Sequence, residues 1–154
     1  SVLASYKRSK AEVLARMEQR KQSKPQHKKQ DDSYISLTEL ARNHSKNTPG
    51  YVIQSWLRSE NTLAFLNLWE QENNPDYREA GYIELLEKKK TASFTLTPKL
   101  WIEKTKATGI ASKQGKGGGT FAHPMIGCEF ASWISPEFKM LLLKLSLDRE
   151  RLKA

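Results

Sequence analysis

Glycine fills four of the five positions from Gly115 to Gly119, and that run limits what the chain can become more than any other. Glycine reaches positive φ without the steric cost that a Cβ imposes, and a tight hairpin needs positive φ at its turn. Short runs of strand character flank it, Ile110 to Ser112 before and Thr120 to Ala122 after. The spacing predicts a β-hairpin that turns through Gln114 to Gly119.

Helical signals surround this hairpin. Alternation through Tyr34, Ile35, Ser36 and Leu37 suits a short strand, and Ser36 with Glu39 has capping-box spacing for a helix through Leu40 and Ala41. A loop from Asn43 to Pro49 leads to a second short helix, in which Val52, Ile53, Trp56 and Leu57 recur at three and four residues. The two read as a helix-turn-helix-like pair. Ser59 is a natural N-cap for a third helix carrying Leu63, Phe65, Leu66, Leu68 and Trp69, stopped by Asn73, Asn74 and Pro75. Tyr77 to Lys90 is a further helical or mixed segment. After Ser93, Phe94 and Leu96 alternate with threonine. Thr97 and Pro98 then open a helix through Leu100, Trp101 and Ile102 that is expected to end near Gly109. Pro124 opens another through Ile126, Phe130 and Trp133, and Ser135-Pro136-Glu137 caps a last one with Phe138, Leu141, Leu142, Leu145 and Leu152 apolar. That apolar stripe runs on to the chain end, which points to packing on a partner or on a further region. Trp56, Trp69, Trp101 and Trp133 sit at apolar helix positions and are expected in the core.

A length of 154 residues suits one domain with attachments. No run approaches the roughly 20 apolar residues that span a bilayer, and no apolar signal core stands at the start, so a cytoplasmic protein without a membrane partner is expected. The chain begins at Ser1 rather than Met, as expected of a processed or cloned start. The single cysteine, Cys128, has no internal disulfide partner and lies among Ile126, Phe130 and Ala131 like a small core residue.

Net charge is +9, but residues 1–30 alone carry nine Lys/Arg against two Glu. There Leu3, Tyr6, Val13 and Met17 fall near helical spacing, which suggests a basic amphipathic helix, followed by a linker from Ser23 through Pro25 to Asp32. The remaining body is close to neutral yet polarised along the sequence. Residues 60–87 hold seven acids against Arg78, and residues 88–116 hold eight lysines against Glu103. Such segregation gives a directional field that presents one face to phosphates.

The hairpin tip brings Lys113, Lys116 and Gly117 together, lysines to neutralise a phosphate and glycines to let the backbone approach it. The nucleotide-binding loop is excluded because Gly117, not Ser or Thr, follows Lys116, and the dinucleotide fingerprint fails because Thr120 takes the place of its third glycine. The tip is therefore read as a wing laid on a nucleic-acid backbone, against the alternative of a solvated turn. Arg42, His44, Lys46, Gln54 and Arg58 cluster about the helix pair with side chains that reach phosphates and base edges, and Lys104 and Lys106 belong to the basic block. His123 stands before Pro124, where capping its helix is the better reading and a phosphate contact the other. His27, His44 and His123 have no second ligand at metal spacing, no Ser or Cys lies in a nucleophile motif, and the carboxylates fall on expected solvent faces. No cofactor, metal or catalytic residue is expected, and a nuclease reading lacks its acidic constellation.

Taken in order, Tyr34-Ile35-Ser36-Leu37-Thr38, Trp56-Leu57-Arg58, Thr62, Phe65-Leu66, Trp101-Ile102-Glu103, Gly118-Gly119-Thr120-Phe121-Ala122-His123 and Phe130-Ala131-Ser132-Trp133-Ile134-Ser135-Pro136-Glu137-Phe138 resemble the KilA-N domain of bacteriophages, bacteria and large DNA viruses. The resemblance covers roughly residues 34–145. It implies a small α+β DNA-binding fold, similar to the fungal APSES domain, with no catalytic residues. The expected organisation is a basic N-terminal extension and linker over 1–32, the DNA-binding domain over 33–145 and the end of the C-terminal helix over 146–154. The leading reading is a phage- or mobile-element-type transcriptional regulator whose partner is duplex DNA. The alternative is a protein-interaction module, such as an antirepressor, whose terminal helices engage another protein or form a homodimer. A basic surface alone does not separate B-form DNA from A-form RNA.

Overall fold

The structure, a computed structural model, describes residues 33–153, so the basic extension with its expected helix and linker lies outside the described residues. The first strand, β1 (Ile35–Ser36), gives way to α1 (Leu37–His44) where the Ser36 hydroxyl accepts the amide of Glu39 at 3.0 Å. Helices α2 (Pro49–Leu57), α3 (Glu60–Asn73), α4 (Glu79–Lys88) and α5 (Pro98–Thr105) follow. The hairpin of β2 (Ile110–Lys113) and β3 (Gly119–Ala122) comes next, then α6 (Pro124–Ile134) and α7 (Pro136–Lys153). This is the α+β class expected.

Local chemistry sets most of these boundaries. The hydroxyls of Ser59, Thr97 and Ser135 each accept the amide three residues on, in the helix they open, replacing partners that the first turn lacks. Pro98 and Pro124 stand in first turns, where the missing N–H costs nothing. Positive φ appears at Gly115, Gly117 and Gly119, and Gly118 N–H closes the turn on the Gly115 carbonyl at 2.9 Å. The sheet is antiparallel in the order β1-β3-β2, with Ile35 opposite Ala122 and Lys113 opposite Gly119.

A single apolar cluster holds the elements together. Trp56, Trp101, Phe130, Leu37, Leu57, Leu63, Leu66, Leu85, Ile110 and Ile126 are fully buried, each contributing about 1.5–3 kcal/mol from burial. Trp56 meets Phe130 edge to face with ring centroids 5.0 Å apart, and its indole N–H donates to Glu129 at 2.9 Å. Trp69 and Trp101 are buried with them.

Several expectations are corrected. Trp133 is 45% exposed, because Ile126 and Phe130 define the inward face of α6 and Trp133 only stacks on the outer side of Phe130. Cys128 is half-buried rather than a core residue. Helix α5 stops at Thr105, short of Gly109, because Lys106 adopts a left-handed φ of 57° and its carbonyl is taken by the Asn74 amide at 2.9 Å. Not every carboxylate faces solvent: Glu70 is 1% exposed. Finally, the acidic and basic blocks are not kept apart in space. Lys88 and Lys104 both pair with Glu84, and Lys90 pairs with Glu87, since the basic block starts on the last turn of α4 and continues on α5, which packs against it.

Candidate nucleic-acid interface

Helix α2 buries Val52, Ile53, Trp56 and Leu57, which leaves Tyr51, Gln54, Ser55 and Arg58 along its other side at helical spacing. Tyr51 is 54% exposed and had no place in the sequence reading, although its spacing of three from Gln54 and seven from Arg58 marks the face. Arg42, His44 and Lys46 are exposed at the end of α1 and in the loop before α2. Arg42 is partly occupied, since its guanidinium bonds the Glu39 carboxylate one turn earlier on the same surface.

The hairpin projects a different chemistry. Lys116 and Gly117 are exposed at the tip, and a Cβ added to Gly115 or Gly117 would meet nothing within 4 Å. Lys113 lies over the Phe121 ring, 5.2 Å from its centroid, which parks its ammonium on the stem. Thr120 points the other way. It is buried, and its amide donates to the Thr38 hydroxyl at 3.0 Å, so its part is to fasten the stem to α1 and not to face a phosphate. His123 caps α6, its Nδ1 accepting the Met125 amide at 3.1 Å, and its ring packs against Trp69 and Tyr34. That is the capping role the sequence favoured.

Lys104 is paired with Glu84, and hydrogen bonding to Lys104 holds the Glu84 carboxyl below the usual carboxylate range. Lys106 is exposed on the connection into β2. The named residues thus fall into two groups joined by α1, which packs on both α2 and β3. Arg42, His44, Lys46, Gln54 and Arg58 belong to the helix pair, and Lys113, Lys116 and Gly117 belong to the wing.

The root of the wing is fixed by a buried carboxylate that the sequence reading passed over. Glu70 accepts the Thr108 amide at 2.9 Å, the Gly109 amide at 2.8 Å and the Asn74 side-chain amide at 2.8 Å. Burial pushes its carboxyl above the ordinary value of 4.5, and these donors pull the other way. The Tyr34 hydroxyl donates to the Thr108 carbonyl at 2.7 Å and the His123 amide to the Gly109 carbonyl at 2.9 Å, so residues 108–109 are held on both edges. One signal was present: Glu70 continues the apolar positions Leu63 and Leu66 of α3 at helical spacing, where a carboxylate stays only if donors await it.

Among the described residues no group of three or more potential ligands gathers for a metal ion, and no helix is long and apolar enough to cross a membrane. An outward-facing helix of a two-helix pair and a glycine-tipped hairpin, carried on one small α+β core, define the class of protein. The chain belongs to the KilA-N domain family, whose profile matches residues 18–149, a DNA-binding rather than an enzyme family. Protein kilA of Escherichia phage P1 is 41% identical over 58 residues, which is 35% of this chain and 22% of that protein. The chain therefore matches only about a fifth of the length of this relative. No solved structure matches the chain significantly.

Proposed function

We propose that this domain binds duplex DNA within a phage- or mobile-element-type transcriptional regulator, with the α1–α2 pair against a groove and the hairpin along the phosphate backbone. The observation that carries the reading is the wing tip. Lys116 stands exposed there without a carboxylate partner among the described residues, between glycines whose open backbone lets amide and ammonium approach one phosphate together. Arg58 and Gln54 on the outward face of α2 supply the guanidinium and amide types that read phosphates and base edges. The phage origin of the matching protein supports the kind of regulator.

Binding of the full chain to random duplex DNA, single-stranded DNA and duplex RNA across a salt series tests this reading. Duplex DNA is expected to bind with steep salt dependence. Lys113→Glu combined with Lys116→Glu is expected to weaken every duplex alike and lower the slope by about 0.9 per lost phosphate contact. No binding to any duplex at low salt sinks the proposal. A second reading, a protein-interaction module, has one observation in its favour: Met140, Leu141, Leu143, Leu145 and Leu147 of α7 are all 44% or more exposed. A stable protein complex that survives the two charge reversals would favour it.

A further inference from the structure

Where α2 ends, its C-cap Arg58 meets the C-cap of α4, Lys89. A cleft of about 370 Å³ opens there, and its polar lining is Gln54, Arg58, Lys89, Thr91 and Thr95. Of three consecutive lysines, Lys88 and Lys90 pair with Glu84 and Glu87, whereas Lys89 makes no ion pair with a described carboxylate. Its ammonium instead donates to the Arg58 carbonyl, neutralising the negative end of α2. An ammonium carries three protons, so two remain for a ligand. Burial holds the Lys89 ammonium below the usual lysine range; Glu60, which does not line the cleft, opposes that, and Arg58 reinforces it. The Arg58 guanidinium makes no ion pair or side-chain hydrogen bond among the described residues.

The position of this cleft matters as much as its charge. Helix α2 has nine residues, about 13.5 Å at 1.5 Å per residue, and the major groove is about 12 Å wide. Exposed Lys46 lies three residues before α2, and Arg58 with Lys89 stands at its C-terminal end. One cation thus precedes α2 in the chain, and two stand at its C-terminal end. Tyr51 and Gln54 stand between them.

We infer that the cleft formed by Arg58, Lys89 and the threonines of the α4–α5 connection is a site for a backbone phosphate of duplex DNA, which anchors the C-terminal end of α2. The guanidinium fork and the ammonium neutralise the phosphate, and the Thr91 and Thr95 hydroxyls and the Gln54 amide offer further donors. This site rests on the duplex-DNA reading above and adds residues to it. Lys89, Thr91 and Thr95 lie outside both the helix pair and the wing.

The test uses the full chain and a short random-sequence duplex, with affinity measured by fluorescence anisotropy over a sodium chloride series and the thermal midpoint of each variant recorded beside it. Lys89→Gln and Arg58→Gln are each expected to reduce the salt slope by about 0.9, which is about eightfold weaker binding at 0.1 M salt. Lys89→Arg, which keeps the charge, is expected to keep the slope. An unchanged slope in Lys89→Gln, with or without a lower midpoint, means that Lys89 only caps α2, and the site is overturned. Should that variant not fold, Lys89→Met, which keeps the aliphatic stem without the charge, takes its place, because Arg58 already belongs to the helix-pair surface and its loss alone does not isolate the cleft. Failure of the unaltered chain to bind any duplex removes the parent reading and this site with it. Normal binding by both variants removes the site alone.

Discussion

The Glu70 carboxylate receives the Gly109 amide at 2.8 Å, and a Cβ on Gly109 would lie 2.8 Å from that same oxygen. The absent side chain is what lets the backbone come this near to a buried carboxyl group. The residue also stands 2.5 Å, at its virtual Cβ, from Ile126 Cδ1 and 2.8 Å from Trp69 Cε3. Gly109→Ala is therefore expected to lower unfolding free energy by about 1–3 kcal/mol through overpacking, measured by urea titration. A loss within ~0.5 kcal/mol would show that β2 shifts freely at its root, contrary to the packing described.

Glu70 also gives a pH signature. Its folded-state pKa lies above 4.5, so the folded chain holds this proton more tightly than the unfolded one. The resulting contribution is full below pH 4.5 and is lost as pH rises through the folded-state value. Glu70→Gln keeps one acceptor oxygen but turns an N–H₂ toward a backbone amide, at a cost of about 1–3 kcal/mol. The stability gap between the parent and this variant is expected to narrow as pH rises above 4.5, and urea titrations on both sides of that value measure it. A gap that widens with pH contradicts the assignment.

Two glycines with equally open surroundings should respond oppositely to alanine. Gly50 lies in the first turn of α2 and Gly117 at the wing tip, and a Cβ on either meets nothing within 4 Å. Only Gly117 has positive φ, 75°. Gly50→Ala is expected to stabilise by about 0.4–1 kcal/mol by restricting the unfolded chain, and Gly117→Ala to destabilise by about 1–2 kcal/mol. Paired thermal melts decide the sign of each.

Leu141 and Leu145 are 54% and 57% exposed on α7. Replacing both with serine is expected to change unfolding free energy by less than ~0.5 kcal/mol per site, because little burial is lost. A loss of several kcal/mol in dilute protein would reveal that a partner copy covers them.

Much of this architecture was legible because its causes are local. Ser36, Ser59, Thr97 and Ser135 cap helices through amides three residues away, and the glycine run dictates its own turn. What stayed hidden depends on distant partners. The end of α5 at Thr105 is set by Asn74, the orientation of Trp133 by how α6 lies on the core, and the burial of Glu70 by amides 38 and 39 residues ahead. The candidate site divides in the same way. The basic and amide side chains near α2 and the wing were visible as types, but their occupation by Glu39, Glu84 or the Phe121 ring was not. Nor could spacing alone bring Lys89 to the end of α2.

Helix α3 begins at the Ser59 cap, directly after the last residue of the outward α2 face, and near its other end Glu70 grips the root of the hairpin. The α2 face and the root of the hairpin are therefore tied to the two ends of one helix of 14 residues, like the jaws of a gauge. Under the proposed function, such a gauge does not adjust to the duplex. A sequence whose groove width differs from the set span has to bend or twist to satisfy both jaws, and that deformation cost selects among sequences at base pairs the protein never touches.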